Sequence, residues 1–126
     1  MIKILIVDDE VDICDFLKTF FRERDFQTFM AHNGKEAIRL VEAENPEIVI
    51  LDINMPIMNG IETLKEIRKT GNNCSVIIVS GVRDAGKIEE TKKLGAIEYI
   101  TKPLLLDHLE RTVLSAADNI RINSNT

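Results

Sequence analysis

Three consecutive acids, Asp8, Asp9 and Glu10, end an apolar run, KILIV, near the start of the chain. A later run, IVIL, ends in Asp52, another, VIIV, ends in Ser80, and the short EYIT is followed by Lys102-Pro103. Singly, each has an ordinary explanation: an Asp after a strand is a helix cap, Ser80 before Gly81 suits a turn, and a lone lysine is solvated. Together they bring carboxylates, a hydroxyl and an ammonium to the ends of apolar runs of one kind. If the strands ending in Asp8 and Asp52 are neighbours, their carboxylates lie on the order of 5 Å apart. At an effective dielectric of about 20, each such like-charge pair costs roughly 3 kcal/mol. Acids crowded in this way raise a pKa or recruit a cation. Mg²⁺ suits oxygen ligands and keeps several waters when few carboxylates hold it, while Lys102 offsets part of the charge. Around one cavity these parts fit phosphoryl transfer. Cations neutralise the phosphoryl oxygens, the hydroxyl donates to one of them, and an aspartate attacks phosphorus.

The elements that must position these groups follow from hydrophobic periodicity. Strands are expected at 3–8, 26–31, 47–53, 75–80 and 98–101. The first, third and fourth are apolar almost throughout, as parallel strands covered on both faces are; the second alternates and suits a sheet edge. Between them, Ile13, Phe16, Leu17 and Phe20 mark a first helix by their spacing. Asn33 lies three residues before Glu36, a capping-box spacing that opens a second helix with Ala37, Ile38 and Val41 on one face, ended by Asn45-Pro46. Ile61, Leu64 and Ile67 mark a third, after a loop in which Gly60 is expected at a turn of positive φ. A fourth, weakly amphipathic over 84–94, stops at Gly95. Asp107 and Glu110 are expected to cap a fifth, with Leu109, Val113, Leu114 and Ala117 inside, and residues 121–126 form a polar tail. Alternating β and α elements imply a parallel sheet with right-handed crossovers, a doubly wound α/β fold. In such a sheet ligands bind beyond the carboxyl ends of the strands, where the polar residues named above lie.

The 126 residues fit one domain, and 16 basic against 21 acidic residues give a net charge of -5. That balance argues against a nucleic-acid surface. Cys14 reads as a small buried thiol, and neither it nor Cys74 belongs to a metal pair or disulfide framework. The N-terminal run is too short for a signal peptide or a membrane span, so a cytoplasmic protein with no membrane association is expected. His32 and His108 read as surface residues, and Glu10 as the favourable acidic start of the first helix.

The segments LIVDDE, ILDINMPIMNGIE, IIVSG and GAIEYITKP, in this order and spacing over residues 2–120, resemble the receiver domain of bacterial two-component response regulators. The resemblance implies a flavodoxin-like (βα)5 sheet of order 2-1-3-4-5, with residues 1–120 as the receiver domain and a magnesium-dependent phosphorelay function. By that resemblance Asp52 is the phosphoacceptor, charged from a phosphohistidine of a sensor histidine kinase or phosphotransfer protein. Asp8 and Asp9 are the metal acids. Asp9, the Asp52 side chain and the Asn54 backbone carbonyl contact Mg²⁺, for which Mn²⁺ substitutes. Lys102 pairs with Asp52 and then with the phosphoryl group, across a cis peptide bond to Pro103. Ser80 and Tyr99 form the switch, the hydroxyl moving to the phosphoryl group as the aromatic ring turns inward. Asn54 and Val82 flank the phosphoryl group. A downstream protein partner is expected on the face of the fourth helix, fifth strand and fifth helix, and a phosphorylation-dependent homodimer is left open. The chain departs from the commonest pattern at Ser80, Gly81 and Leu104, where threonine, alanine and phenylalanine are more usual.

Three other readings use similar parts. An aspartate-nucleophile phosphatase of the haloacid dehalogenase type carries its nucleophile in Asp-x-Asp on the first strand, whereas here the paired acids come first and the central motif is Asp52-Ile53-Asn54. A flavin carrier of the same fold needs a phosphate loop where this chain has repelling acids. An unphosphorylated receiver-like adapter need not keep all five groups. The expectation is therefore a signalling domain, not an enzyme acting on an external substrate.

Overall fold

The computed structural model describes residues 1–124. Five strands, β1 (Lys3–Val7), β2 (Gln27–Ala31), β3 (Ile48–Leu51), β4 (Ser75–Ser80) and β5 (Glu98–Thr101), alternate with helices α1 (Val11–Arg22), α2 (Gly34–Glu44), α3 (Gly60–Lys69), α4 (Ala85–Lys93) and α5 (Leu106–Ser124). All strand pairs are parallel, in the order β2-β1-β3-β4-β5. This is the flavodoxin-like sheet, with its strand order reversing at β1 and β3.

The side-chain period of two splits each central strand between two cores. Ile4, Ile6, Ile50 and Ile77 face α1 and α5, where they meet Leu17, Phe21, Leu109 and Val113. Leu5, Val7, Val49 and Ile78 face α2 and α3, meeting Val41, Ile61, Leu64 and Ile67. The edge strands β2 and β5 are less completely covered than the three central ones. Helix ends follow local chemistry. Asn33 and Asn59 each accept the amide of a glutamate three residues on, at 2.9 Å. Asn45 ends α2 in the left-handed region at φ 49°. No helix among the described residues is long and apolar enough to cross a membrane.

Several local expectations need correction. The buried stripe of α1 is Cys14, Leu17 and Phe21, while Phe16 is 54% exposed; the stripe is turned by about one position because Phe21 fills the corner against Phe26. Leu114 is likewise exposed at 40%, and Ala116 takes its place inside α5. That helix begins at Leu106, so Asp107 lies in its first turn rather than at its cap. It also continues through Ser124, so residues 121–124 of the expected polar tail are helical; Asn125 and Thr126 lie outside the described residues. Gly60 has no positive φ. It opens α3, its amide donating to Ile53 O at 2.8 Å, and a Cβ there would sit 2.1 Å from Asp52 O. The positive φ of that loop falls instead on Ile57, at 72°.

Candidate functional site

Each site residue is placed by the end of a strand. β1 and β3 pair through Val7 and Leu51, so Asp8 and Asp52 are the next residues on neighbouring strands. The Asp52 amide donates to Val7 O at 3.0 Å, fixing that step. On the far side of β4, Ser80 pairs with Thr101, and the Lys102 amide donates to Ser80 O at 2.9 Å. The Lys102–Pro103 peptide is cis, a geometry nearly confined to X-Pro bonds, and the lysine side chain reaches across the sheet edge to the acids. Its Nζ lies 3.1 Å from Asp8 Oδ2, 3.3 Å from Asp52 Oδ2 and 3.3 Å from Glu10 Oε1.

Asp8, Asp9 and Asp52 each offer a carboxylate oxygen, and these atoms lie within 4.8 Å of one another. Asp8 and Asp52 are buried and Asp9 is exposed, so one side of the cluster is open to solvent. An all-oxygen, acidic, half-open set fits a hard divalent cation that retains water. Burial pushes the Asp8 carboxyl above the usual range and the Asp52 charge adds to this, while the Glu10 amide and Lys102 pull the other way. For Lys102 burial opposes the charge, but Asp8 and Asp52 outweigh it, and the ammonium is held well above its ordinary value. The pocket thus keeps its lysine charged and has negative charge to spare.

The Asn54 amide donates to Asp52 Oδ1 at 3.3 Å, which keeps the segment after β3 folded back over the carboxylate. Ser80 is fully buried, and its Oγ accepts the Val82 amide at 3.3 Å. Tyr99 is half-buried, with its hydroxyl donating to Val82 O, and burial raises its phenol pKa. The Ser80 and Tyr99 side chains therefore meet on one residue of the β4–α4 loop.

Three neighbours were underestimated by the sequence. Glu10 caps α1 without a side-chain hydrogen bond and turns to Lys102 instead, so it joins the charge network. His32 is half-buried, its Nδ1 3.2 Å from Asp8 O, because the β2–α2 loop crosses the end of β1. Cys14 Sγ donates to the same carbonyl at 3.3 Å. No pattern in the chain marks these two contacts, since they depend on loop path and helix rotation. His108 lies at the surface, 3.9 Å from Glu98.

The sequence model of the response regulator receiver domain matches residues 4–114. The chain belongs to this family. It is 40% identical over 111 residues to sporulation initiation phosphotransferase F of Bacillus subtilis, covering 88% of this chain and 90% of that one. Receiver domains of longer proteins match as well: the chain is 38% identical to the regulatory protein AtoC of Escherichia coli but spans 25% of its length. Among solved structures, the receiver domain of Francisella response regulator 1452 superposes with a TM-score of 0.88 at 35% identity, covering 95% of this chain and 99% of that one. The response regulator TrrA of Thermotoga maritima, in complex with Mg²⁺ and BeF, gives 0.80 at 33% identity over 92% of this chain and 99% of that one. The chain is thus a receiver domain of a two-component response regulator, and receiver domains bind Mg²⁺ at an acidic pocket, the kind of group that Asp8, Asp9 and Asp52 form here.

Proposed function

We propose that Asp52 accepts a phosphoryl group from a phosphohistidine of a sensor histidine kinase or phosphotransfer protein, and that the acyl phosphate so formed switches a partner-binding face. The observation carrying this reading is the meeting of Asp8, Asp9 and Asp52 within 4.8 Å, with Lys102 Nζ 3.3 Å from Asp52 Oδ2. In the transfer, an Asp52 carboxylate oxygen attacks phosphorus, the P–O bond forms, the P–N bond breaks, and the donor imidazole leaves. Asp8, Asp9, the Asp52 side chain and the Asn54 carbonyl would hold Mg²⁺ or Mn²⁺. The ion supplies charge neutralisation at the phosphoryl oxygens. Lys102, already charged and nearly buried, holds the acceptor carboxylate and then a phosphoryl oxygen, where a fixed cation costs no reorganisation.

The Ser80 hydroxyl, whose oxygen accepts the Val82 amide, would turn to donate to a phosphoryl oxygen. Because Tyr99 holds the carbonyl of Val82, loop and ring would move together and carry the change to α4, β5 and α5. The face of those three elements is where a downstream partner or a second copy would read it. In this reading the domain catalyses only its own phosphorylation and dephosphorylation. The test is incorporation of phosphate from acetyl phosphate in Mg²⁺, followed by mass. Wild-type protein gains one phosphoryl group and Asp52→Asn gains none; equal labelling of the variant overturns the assignment.

A further inference from the structure

The two ends of α4 are held in very different ways. Its first turn is exposed from Ala85 to Lys87, and Thr91 is its one buried residue. Asp84 caps that end with its own carboxylate, 3.0 Å from the Lys87 amide, a bond that travels with the helix. The loop before it is tied to the site, through Tyr99 to Val82 O and Arg83 to Lys102 O at 3.1 Å.

At the other end stands Arg68, from the last turn of α3. Its Nε donates to Leu94 O at 2.8 Å and one terminal nitrogen donates to Gly95 O at 3.3 Å. The second terminal nitrogen donates to Asn72 O at 3.0 Å and Cys74 O at 2.9 Å. One planar guanidinium thus joins the carbonyls that end α4 to those that lead into β4. A cation there also meets the negative end of the helix dipole. Gly95, at φ 84°, takes the left-handed conformation that ends the helix and turns its carbonyl to the clamp; a Cβ there would make only ordinary contact with the guanidinium, at 3.5 Å. Behind the clamp the Ile97 amide enters the sheet on Val76 O at 2.8 Å.

We infer that Arg68 is the fulcrum of α4: the helix pivots about the Leu94–Gly95 clamp, so that a change at Ser80 and Val82 displaces its first turn and leaves its last turn in place. The inference rests on the switch reading above. A lysine could donate from one point only, so the fork of arginine, bridging two loops at once, is the needed feature.

Amide hydrogen exchange on the full chain, with and without beryllofluoride and Mg²⁺, tests it. In wild-type protein the amides of residues 82–88 change on activation and those of 94–97 do not. In Arg68→Gln the amides of 94–97 exchange about tenfold or more faster before activation, as expected when a set of carbonyl bonds is lost, and activation then alters the whole helix. Arg68→Lys, which keeps the charge, behaves like Arg68→Gln at 94–97, while both variants take up phosphate on Asp52 as wild type does. A uniform change along wild-type α4, or unaltered exchange at 94–97 in both variants, overturns the fulcrum alone. No change anywhere on adding beryllofluoride and Mg²⁺ overturns the switch reading together with it.

Discussion

Asp8 bears the cost of the pocket. It is 4% exposed, and burial together with the Asp52 charge disfavours its ionised form. An isosteric amide removes that repulsion while Lys102 keeps Asp52 and Glu10 as partners. Asp8→Asn is therefore expected to raise the unfolding temperature in chelator, by about 1–2 kcal/mol of stability, and to lose the stabilisation that added Mg²⁺ gives the wild type. Thermal melts with and without the ion read both effects, and a lower melting temperature in chelator contradicts the first. Ile57 bears a different cost. The Met58 amide donates to Pro56 O at 2.7 Å around it, closing a γ-turn with a β-branched residue at φ 72°. That turn is rare and strained. The side chain is 79% exposed and loses no packing when changed. Ile57→Gly, which takes a positive φ without a Cβ clash, is expected to stabilise by about 1 kcal/mol, seen as a higher urea midpoint with an unchanged slope.

Among the elements, α3 is set tightly against the end of β3. A methyl at Gly60 would meet backbone, Asp52 O at 2.1 Å and Ile53 Cα at 2.8 Å, which cannot swing away as a side chain would. Gly60→Ala is expected to cost about 3 kcal/mol and to weaken Mg²⁺ binding, because relief requires moving the backbone carbonyl of Asp52 itself. Urea unfolding and an ion titration measure the two. The sequence marks this glycine but not its reason, since a close approach between segments has no local signature. The strands were legible because β1, β3 and β4 are apolar on both faces and alternate with helices, whereas their order came from the family resemblance. Asp8, Asp52, Ser80 and Lys102 were legible because strand ends share one edge. The rotations of α1 and α5 were not: Phe20 and Phe21 are the same residue type, and Leu114 is more apolar than the Ala116 buried in its place, so only the neighbouring elements decide which turns inward. Glu10 could not be separated from a helix start, because its partner Lys102 lies 92 residues away.

Across the whole molecule the sheet encloses groups that hold protons more firmly folded than unfolded. Burial and the Asp8 charge push the Cys14 thiol from 9.0 up to about 12, and the Lys102 ammonium is held above its ordinary 10.5. For both, the native state binds more protons than the unfolded chain as the pH rises past the unfolded value, so the slope of stability with pH is negative there. Stability is expected to hold up to about pH 9 and to fall between there and about 12. Urea midpoints across that range check it, and Cys14→Ala is expected to delay the onset.

Lys102 meets Asp8 across 94 residues of sequence and Asp52 across 50. These contacts form only when β1, β3 and the strand preceding the lysine are all seated. Any ion that prefers the finished pocket is then a ligand of the completed fold and of no fragment of it. By mass action its concentration adds to the stability of every strand at once. A cation titration of this domain is thereby also a measurement of how completely the chain has folded.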